Sequence, residues 1–405
     1  MELAINKYRS LTYQEKNSRN LKSEQYVSNY KAIFLNVLIF IKILTLAFLK
    51  YKSFSKTYKA LMRLEMIRKI YYDGKHPDKF RKIGKRFYYN MYVPGFPSEM
   101  TNRLFKFELE KVIPTQDFPA DLRLAFLAIT RKCPLKCEHC FEWENLNKKE
   151  TFKDSHLTEI VEKLIETGVV QVFLSGGEPM LRVREIEKLC KLYSDKIDFW
   201  VVTSGFNAGY QNLNRLKRAG LAGISVSIDH YNRNLHNLFR GSENAFDNAV
   251  NAVQFARDLN LPVTMNVCVT KGFAEEIHLM RYVELAKSLD ATFIQLLEPK
   301  AVGKYASKDV LLEDSHKNIV REFTEKINSE QQYRQYPLAL YHGYYQRKVG
   351  CFAAGNRSLY IDSNGDVLSC PFCHNKAGNI LKEDFSSLLN IIKGIGCTDY
   401  KVAEI

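Results

Sequence analysis

Positions 131–143 read "RKCPLKCEHCFEW" and place Cys133, Cys137 and Cys140 within eight residues. Structural zinc and ferredoxin-type clusters take four protein ligands per site. Three thiolates suit a four-iron, four-sulfur (4Fe-4S) cluster held by three of its irons, with the fourth iron left open for a small molecule. A catalytic zinc keeps an open position in the same way. The rival is a zinc knuckle that borrows a further ligand, such as His139.

A second group of thiols lies in "GCFAAGNRSLYIDSNGDVLSCPFCHNKAGNI" and beyond. Cys370 and Cys373 have the two-residue spacing of a metal-ligand pair. Asn364-Gly365, between two strand-like runs, signals a hairpin that carries Cys370 back towards Cys351. "EDFSSLLNIIKG" predicts a short helix opened by Asp384 and closed at Gly394, which delivers Cys397. Cys190 and Cys268 sit among apolar neighbours in a predicted helix and strand and are read as packing residues.

Regular elements must position these groups. Apolar runs at 122–130, 169–176, 198–205, 223–229, 262–270 and 292–299 alternate with helical periods such as "HLTEIVEKLIETG" and "AFDNAVNAVQFARDLN". That alternation predicts an α/β fold with a parallel sheet covered by helices: a partial (β/α)6, TIM-like barrel. In such barrels chemistry collects at the C-terminal strand ends. Cys133 follows the first run, Gly176-Gly177-Glu178 the second, Ser204-Gly205 the third, and Ser227 with Asp229 the fourth, so all fall on one face.

Three cysteines in a loop after the first strand, with "LSGGEP" after the second, resemble the radical S-adenosylmethionine (SAM) superfamily over roughly 122–300. The resemblance implies that the open iron chelates SAM and that one electron splits it to a 5′-deoxyadenosyl radical, which abstracts a substrate hydrogen. It implies further that Ser175, Gly176, Gly177 and Glu178 receive the SAM amino group, and that His139 lies against the adenine. Ser227 and Arg240 would contact the carboxylate. The tail, with Cys351, Gly365, Cys370 and "GNI", resembles a twitch or shortened SPASM extension. By that resemblance Cys351, Cys370, Cys373 and Cys397 would hold one auxiliary 4Fe-4S cluster; a structural zinc site is the competing reading. Asp229, Glu298 and His374 are acid–base candidates by position only. A flavodoxin or ferredoxin is the expected electron donor.

The chain has 405 residues, a net charge of +14 and nine cysteines. An odd cysteine count without a secretory signal argues for a reducing compartment and against a disulfide framework. Between 50 and 90 stand 13 basic and 3 acidic residues, next to an apolar run at 32–49. That run is read as an interfacial anchor, a true span or a buried core helix, followed by a second, amphipathic helix stopped at Asp73-Gly74. In the first two cases the basic flank puts the remainder on the cytoplasmic side of the membrane. Because the charge clusters beside the apolar run, an anionic bilayer is favoured over nucleic acid as partner.

The expected organisation is 1–75 as N-terminal membrane-associated segment, 76–120 as an irregular connection, 121–310 as barrel, 311–345 as a linking helix and 346–405 as cluster domain. The expected function is a membrane-attached radical SAM enzyme acting on a lipid or a peptide. The alternatives are a peptide maturase or small-molecule dehydrogenase with a soluble substrate, and a non-catalytic metal-binding scaffold.

Overall fold

The apolar runs of the central region pair side by side because each lacks enough polar residues to face water on either surface. A computed structural model describes residues 26–72, 78–395 and 400. In it β3 (Leu124–Thr130), β4 (Gln171–Gly176), β5 (Asp198–Thr203), β6 (Gly223–Ser227), β7 (Val263–Cys268) and β8 (Phe293–Leu297) form a parallel array. Alternate side chains serve two surfaces. Leu127, Leu174, Val201, Val226, Val267 and Leu296 pack into the main core with the covering helices. Phe126, Phe173, Val202, Ser225, Asn266 and Gln295 face an interior cavity.

The parallel array is longer than the six strands expected. β9 (Leu338–Tyr341) pairs with β8, and β10 (Ser358–Ile361) pairs with β3, with Ser358 opposite Leu124. β10 continues antiparallel into β11 (Asp366–Cys370) and β12 (Cys373–Asn379). The whole is one ten-stranded sheet in the order β12-β11-β10-β3-β4-β5-β6-β7-β8-β9. The C-terminal region thus extends the barrel sheet. The stretch 311–345 holds a helix, Asp314–Ser329, and also β9.

The stretch 76–120 is likewise not irregular. After a short hairpin of β1 (Arg81–Ile83) and β2 (Arg86–Tyr88) comes the helix Glu99–Val112. Ser98 caps it, its Oγ accepting from Thr101 N at 3.1 Å. Such a cap satisfies a backbone donor that the first helical turn leaves free.

Two helices precede this region. The apolar helix Asn29–Tyr51 and the basic helix Phe54–Tyr72 pack through Ala47, Tyr51 and Ala60 onto Leu109 and Val112. Tyr51 Oη donates to Leu109 O at 2.7 Å, and Lys50 pairs with the buried Glu110. Only 17% of the most apolar window of Asn29–Tyr51 is buried, too little for a core helix. By length and composition it is the one helix among the described residues suited to crossing a membrane. The stop expected at Asp73-Gly74 lies outside the described residues.

Candidate active site

The first cysteine loop leaves β3 at Thr130 and is clamped from three sides. Gly177 N donates to Thr130 O and Glu178 N to Lys132 O, each at 2.8 Å. Glu138 N donates to Phe239 O at 2.8 Å, from the helix Arg233–Arg240. Asn147 closes the loop by exchanging bonds of 3.1 Å with the backbone N–H and carbonyl of Cys133.

This packing explains the glycines. A Cβ on Gly176 would lie 2.4 Å from Thr130 O, and one on Gly177 would lie 2.3 Å from Lys132 O. Gly176 also has φ +121°, which side chains with a Cβ rarely adopt. Sequence reasoning assigned the glycines to close approach of a ligand; in the structure they first permit close approach of the cysteine loop.

Cys133, Cys137 and Cys140 meet in a small apolar cluster with Leu135, Phe206 and Ala245. Burial, helped by the neighbouring Cys137, pushes the Cys133 and Cys140 thiols up to about 12. Thiols shifted in this way give up their protons only to a strongly cationic centre. Among the described residues no three His, Cys, Asp or Glu side chains converge closely enough to hold a single ion. An all-sulfur donor set in apolar surroundings fits an iron–sulfur cube.

His139 stacks on Phe239 with ring centroids 4.8 Å apart and an interplanar angle of 23°. Burial lowers its pKa to about 4, so the ring is neutral, and its buried Nδ1 has no hydrogen-bond partner among the described residues. That orphaned atom beside the trio is a free position for a ligand's polar group.

Glu178 is differently engaged from the expected ammonium contact. Its carboxylate accepts from Met180 N at 3.0 Å, Thr203 Oγ1 at 2.7 Å, Ser204 N at 2.8 Å and Ser204 Oγ at 2.5 Å. It ties the turn after β4 to the end of β5. Burial pushes its pKa up against those four bonds. Ser175 lines the cavity, and Ser227 stands at the end of β6 opposite Asn266.

Arg240 is buried and pairs through Nε with Asp229 Oδ2 at 2.5 Å. Burial opposes the Asp229 charge, but Arg240, His139, His236 and the Cys268 N–H together hold its carboxyl below the usual range. Asp229 is thus a brace. Glu298 is occupied by Tyr341 Oη at 2.6 Å and Arg347 Nη1 at 2.7 Å, and His374 is exposed. Cys190 is buried in the main apolar core, whereas Cys268, also buried, ends β7 beside Asp229, to which its N–H donates at 2.9 Å.

The hairpin between β10 and β11 turns at Gly365, φ +84°, and the next turn, between β11 and β12, pairs Cys370 with Cys373, whose N–H donates to Cys370 Sγ at 3.2 Å. That side-chain and backbone contact lowers the Cys370 pKa. Cys351, Cys370 and Cys373 all line one cavity of about 1440 Å³. The soft donors fit a second cluster; Cys397 lies outside the described residues. Ser175, Asn266 and Gln295 line the same cavity.

Sequence reasoning missed Asn266 and Gln295. Each is a polar side chain inside an otherwise apolar strand, which was the available signal. Gln295 Nε2 donates to Tyr92 Oη at 2.5 Å, while the buried Asn266 Oδ1 has no hydrogen-bond partner among the described residues.

Residues 127–283 match the Radical SAM superfamily. The chain is 26% identical over 289 residues to an AdoMet-dependent heme synthase of Methanosarcina barkeri, covering 66% of this chain and 81% of that protein. It is 27% identical over 274 residues to a PqqA peptide cyclase of Bradyrhizobium diazoefficiens, covering 65% and 69%. The structure of Streptococcus suis SuiB bound to its precursor peptide SuiA superposes with a TM-score of 0.54 over 73% of this chain and 71% of SuiB, at 15% identity, which shows a shared fold. With its three-thiol loop seated against the glycine turn at the C-terminal edge of a parallel sheet, residues 127–283 belong to the radical SAM superfamily and the chain is a radical SAM enzyme.

Proposed function

We propose that this enzyme abstracts hydrogen from a substrate held in the 1440 Å³ cavity, between the SAM-binding edge of the sheet and a second cluster on Cys351, Cys370, Cys373 and Cys397. The observation that carries this reading is the single cavity lined both by Ser175, next to the glycine turn, and by the C-terminal thiols. When bound at Cys133, Cys137 and Cys140, the cluster and SAM supply a 5′-deoxyadenosyl radical. The chain's own residues hold and orient. The glycine turn seats the loop, the neutral His139 ring offers Nδ1, and Asn266 and Gln295 present polar groups within an apolar wall.

Two substrate classes fit. A peptide is favoured by the peptide cyclase relative and by SuiB, which was solved with a precursor peptide. A hydrophobic, membrane-lodged molecule is favoured by the apolar lining of the cavity. We place the enzyme at the inner face of the membrane, held by Asn29–Tyr51 with its basic flank and reduced by a flavodoxin or ferredoxin.

The test is anaerobic reconstitution followed by iron counting and assay of 5′-deoxyadenosine after reduction with SAM. About eight irons with SAM cleavage supports the reading, and Cys137→Ala should remove about four irons and all cleavage. Zinc in the first trio, or intact SAM beside a reduced cluster, would overturn it.

A further inference from the structure

The sheet is not a closed ring. Among the described residues its edges, β12 and β9, do not pair, and the cavity is lined near one edge by Pro371 and Phe372 and near the other by His342 and Tyr345. The same cavity is also walled by Val37, Phe40 and Ile43 of the apolar helix and by Leu61 of the basic helix. One continuous space therefore runs from Phe126 and Phe173 inside the sheet to the N-terminal helices.

That space reaches the outer surface. Ile33, Val37 and Phe40 line it and are also 63%, 47% and 53% exposed. On other sides of the same helix Phe34, Ile41, Phe48 and Leu49 are exposed too. A helix apolar all round requires an apolar environment outside the protein. The basic helix carries an exposed stripe, Phe54, Tyr58, Met62, Met66 and Ile70, spaced four residues apart. Exposed Lys52, Lys56, Lys59 and Lys69 flank it. Such a stripe with lysines at its borders matches a helix lying among anionic headgroups.

We propose that the two N-terminal helices form the substrate wall, and that the hydrocarbon chain of a membrane lipid passes between them from the bilayer into the cavity. This rests on the radical SAM reading and deepens it by naming the substrate class. A lipid chain suits the passage better than a peptide. The helical wall has its backbone groups satisfied internally, so an entering peptide's amides would lose water without gaining partners.

The test uses the full chain, reconstituted anaerobically in nanodiscs that contain an anionic phospholipid bearing a diazirine on its acyl chain. After irradiation, label is expected on peptides containing Phe126 and Phe173 as well as on outward-facing Phe34 and Phe48. The double variant Ile43→Trp with Leu61→Trp should cut the interior label about tenfold while outward label and membrane fractionation persist. Phe34→Ser, away from the cavity, should leave interior label unchanged. Interior label absent from wild type, undiminished in the double variant, or displaced by a hydrophobic peptide but not by unlabelled lipid, overturns the proposal. SAM cleavage is measured in the same samples. Cleavage without interior label removes only this inference, whereas failure to cleave removes the radical reading and this inference with it.

Discussion

Arg240 joins the cysteine loop to the sheet: its Nη1 lies 3.6 Å from Cys137 Sγ while its Nε holds Asp229 at 2.5 Å. One guanidinium thus places a fixed positive charge beside the thiol trio and neutralises a buried carboxylate. In the resemblance this arginine serves the SAM carboxylate; here its Nε is already committed to Asp229, 11 residues upstream.

Removing that cation leaves Asp229 charged and buried. Arg240→Gln should cost about 3–5 kcal/mol, the range for breaking one side of a buried ion pair. Adding Asp229→Asn should recover part of the loss. Denaturant unfolding of the single and double variants checks this; equal midpoints for the two would contradict it.

Acid should weaken the fold through His236. It is fully buried, and its Nδ1 accepts from Asp229 N at 3.0 Å. Burial, with Arg240 adding to it, lowers its pKa to about 4. The unfolded imidazole, with a pKa of about 6.5, binds more protons than the folded one between those values. The stabilisation is therefore complete above about pH 6.5 and is lost as pH falls towards 4. Unfolding midpoints measured across that window should fall, and His236→Gln should flatten the slope.

Gly177→Ala tests the seating of the cysteine loop. Its new methyl would meet Lys132 O at 2.3 Å, a contact that requires backbone movement. The expected result is a folded protein that retains about half its iron, because only the first site is disturbed. Full iron content with normal SAM cleavage would show that the loop tolerates displacement.

Glu178→Ala should act as a brace removal. It leaves the Met180 and Ser204 N–H groups and the Thr203 hydroxyl without their acceptor. Each buried unpaired group costs about 1–3 kcal/mol, so a lower melting temperature should accompany weaker SAM binding. Glu178→Gln should restore most of the stability. If stability is unchanged while SAM binding collapses, the carboxylate contacts the ligand directly.

The six central strands were legible because each is a near-continuous apolar run between turn residues. The glycine turn and the Asn364-Gly365 hairpin were legible for the same local reason. β9 was not: "LALY" is four residues long and takes its conformation from pairing with β8. Prolines and aromatics at 94–97 obscured the helix Glu99–Val112, although Ser98 and the apolar positions Met100, Leu104 and Phe107 marked it. The partners of Glu178 and Arg240 depend on which strand ends meet, and spacing along one chain does not encode that. Nor does it reveal that Val37 and Phe40 border the same space as Cys370.

The union of β10 with β3 brings Ser358 against Leu124, more than two hundred residues earlier. During synthesis, then, Leu124–Thr130 leaves the ribosome long before its outer neighbour exists, and one margin of an oily ribbon stays unpaired while most of the protein is translated. A nascent chain in that condition presents an open strand edge that invites pairing with a sister chain.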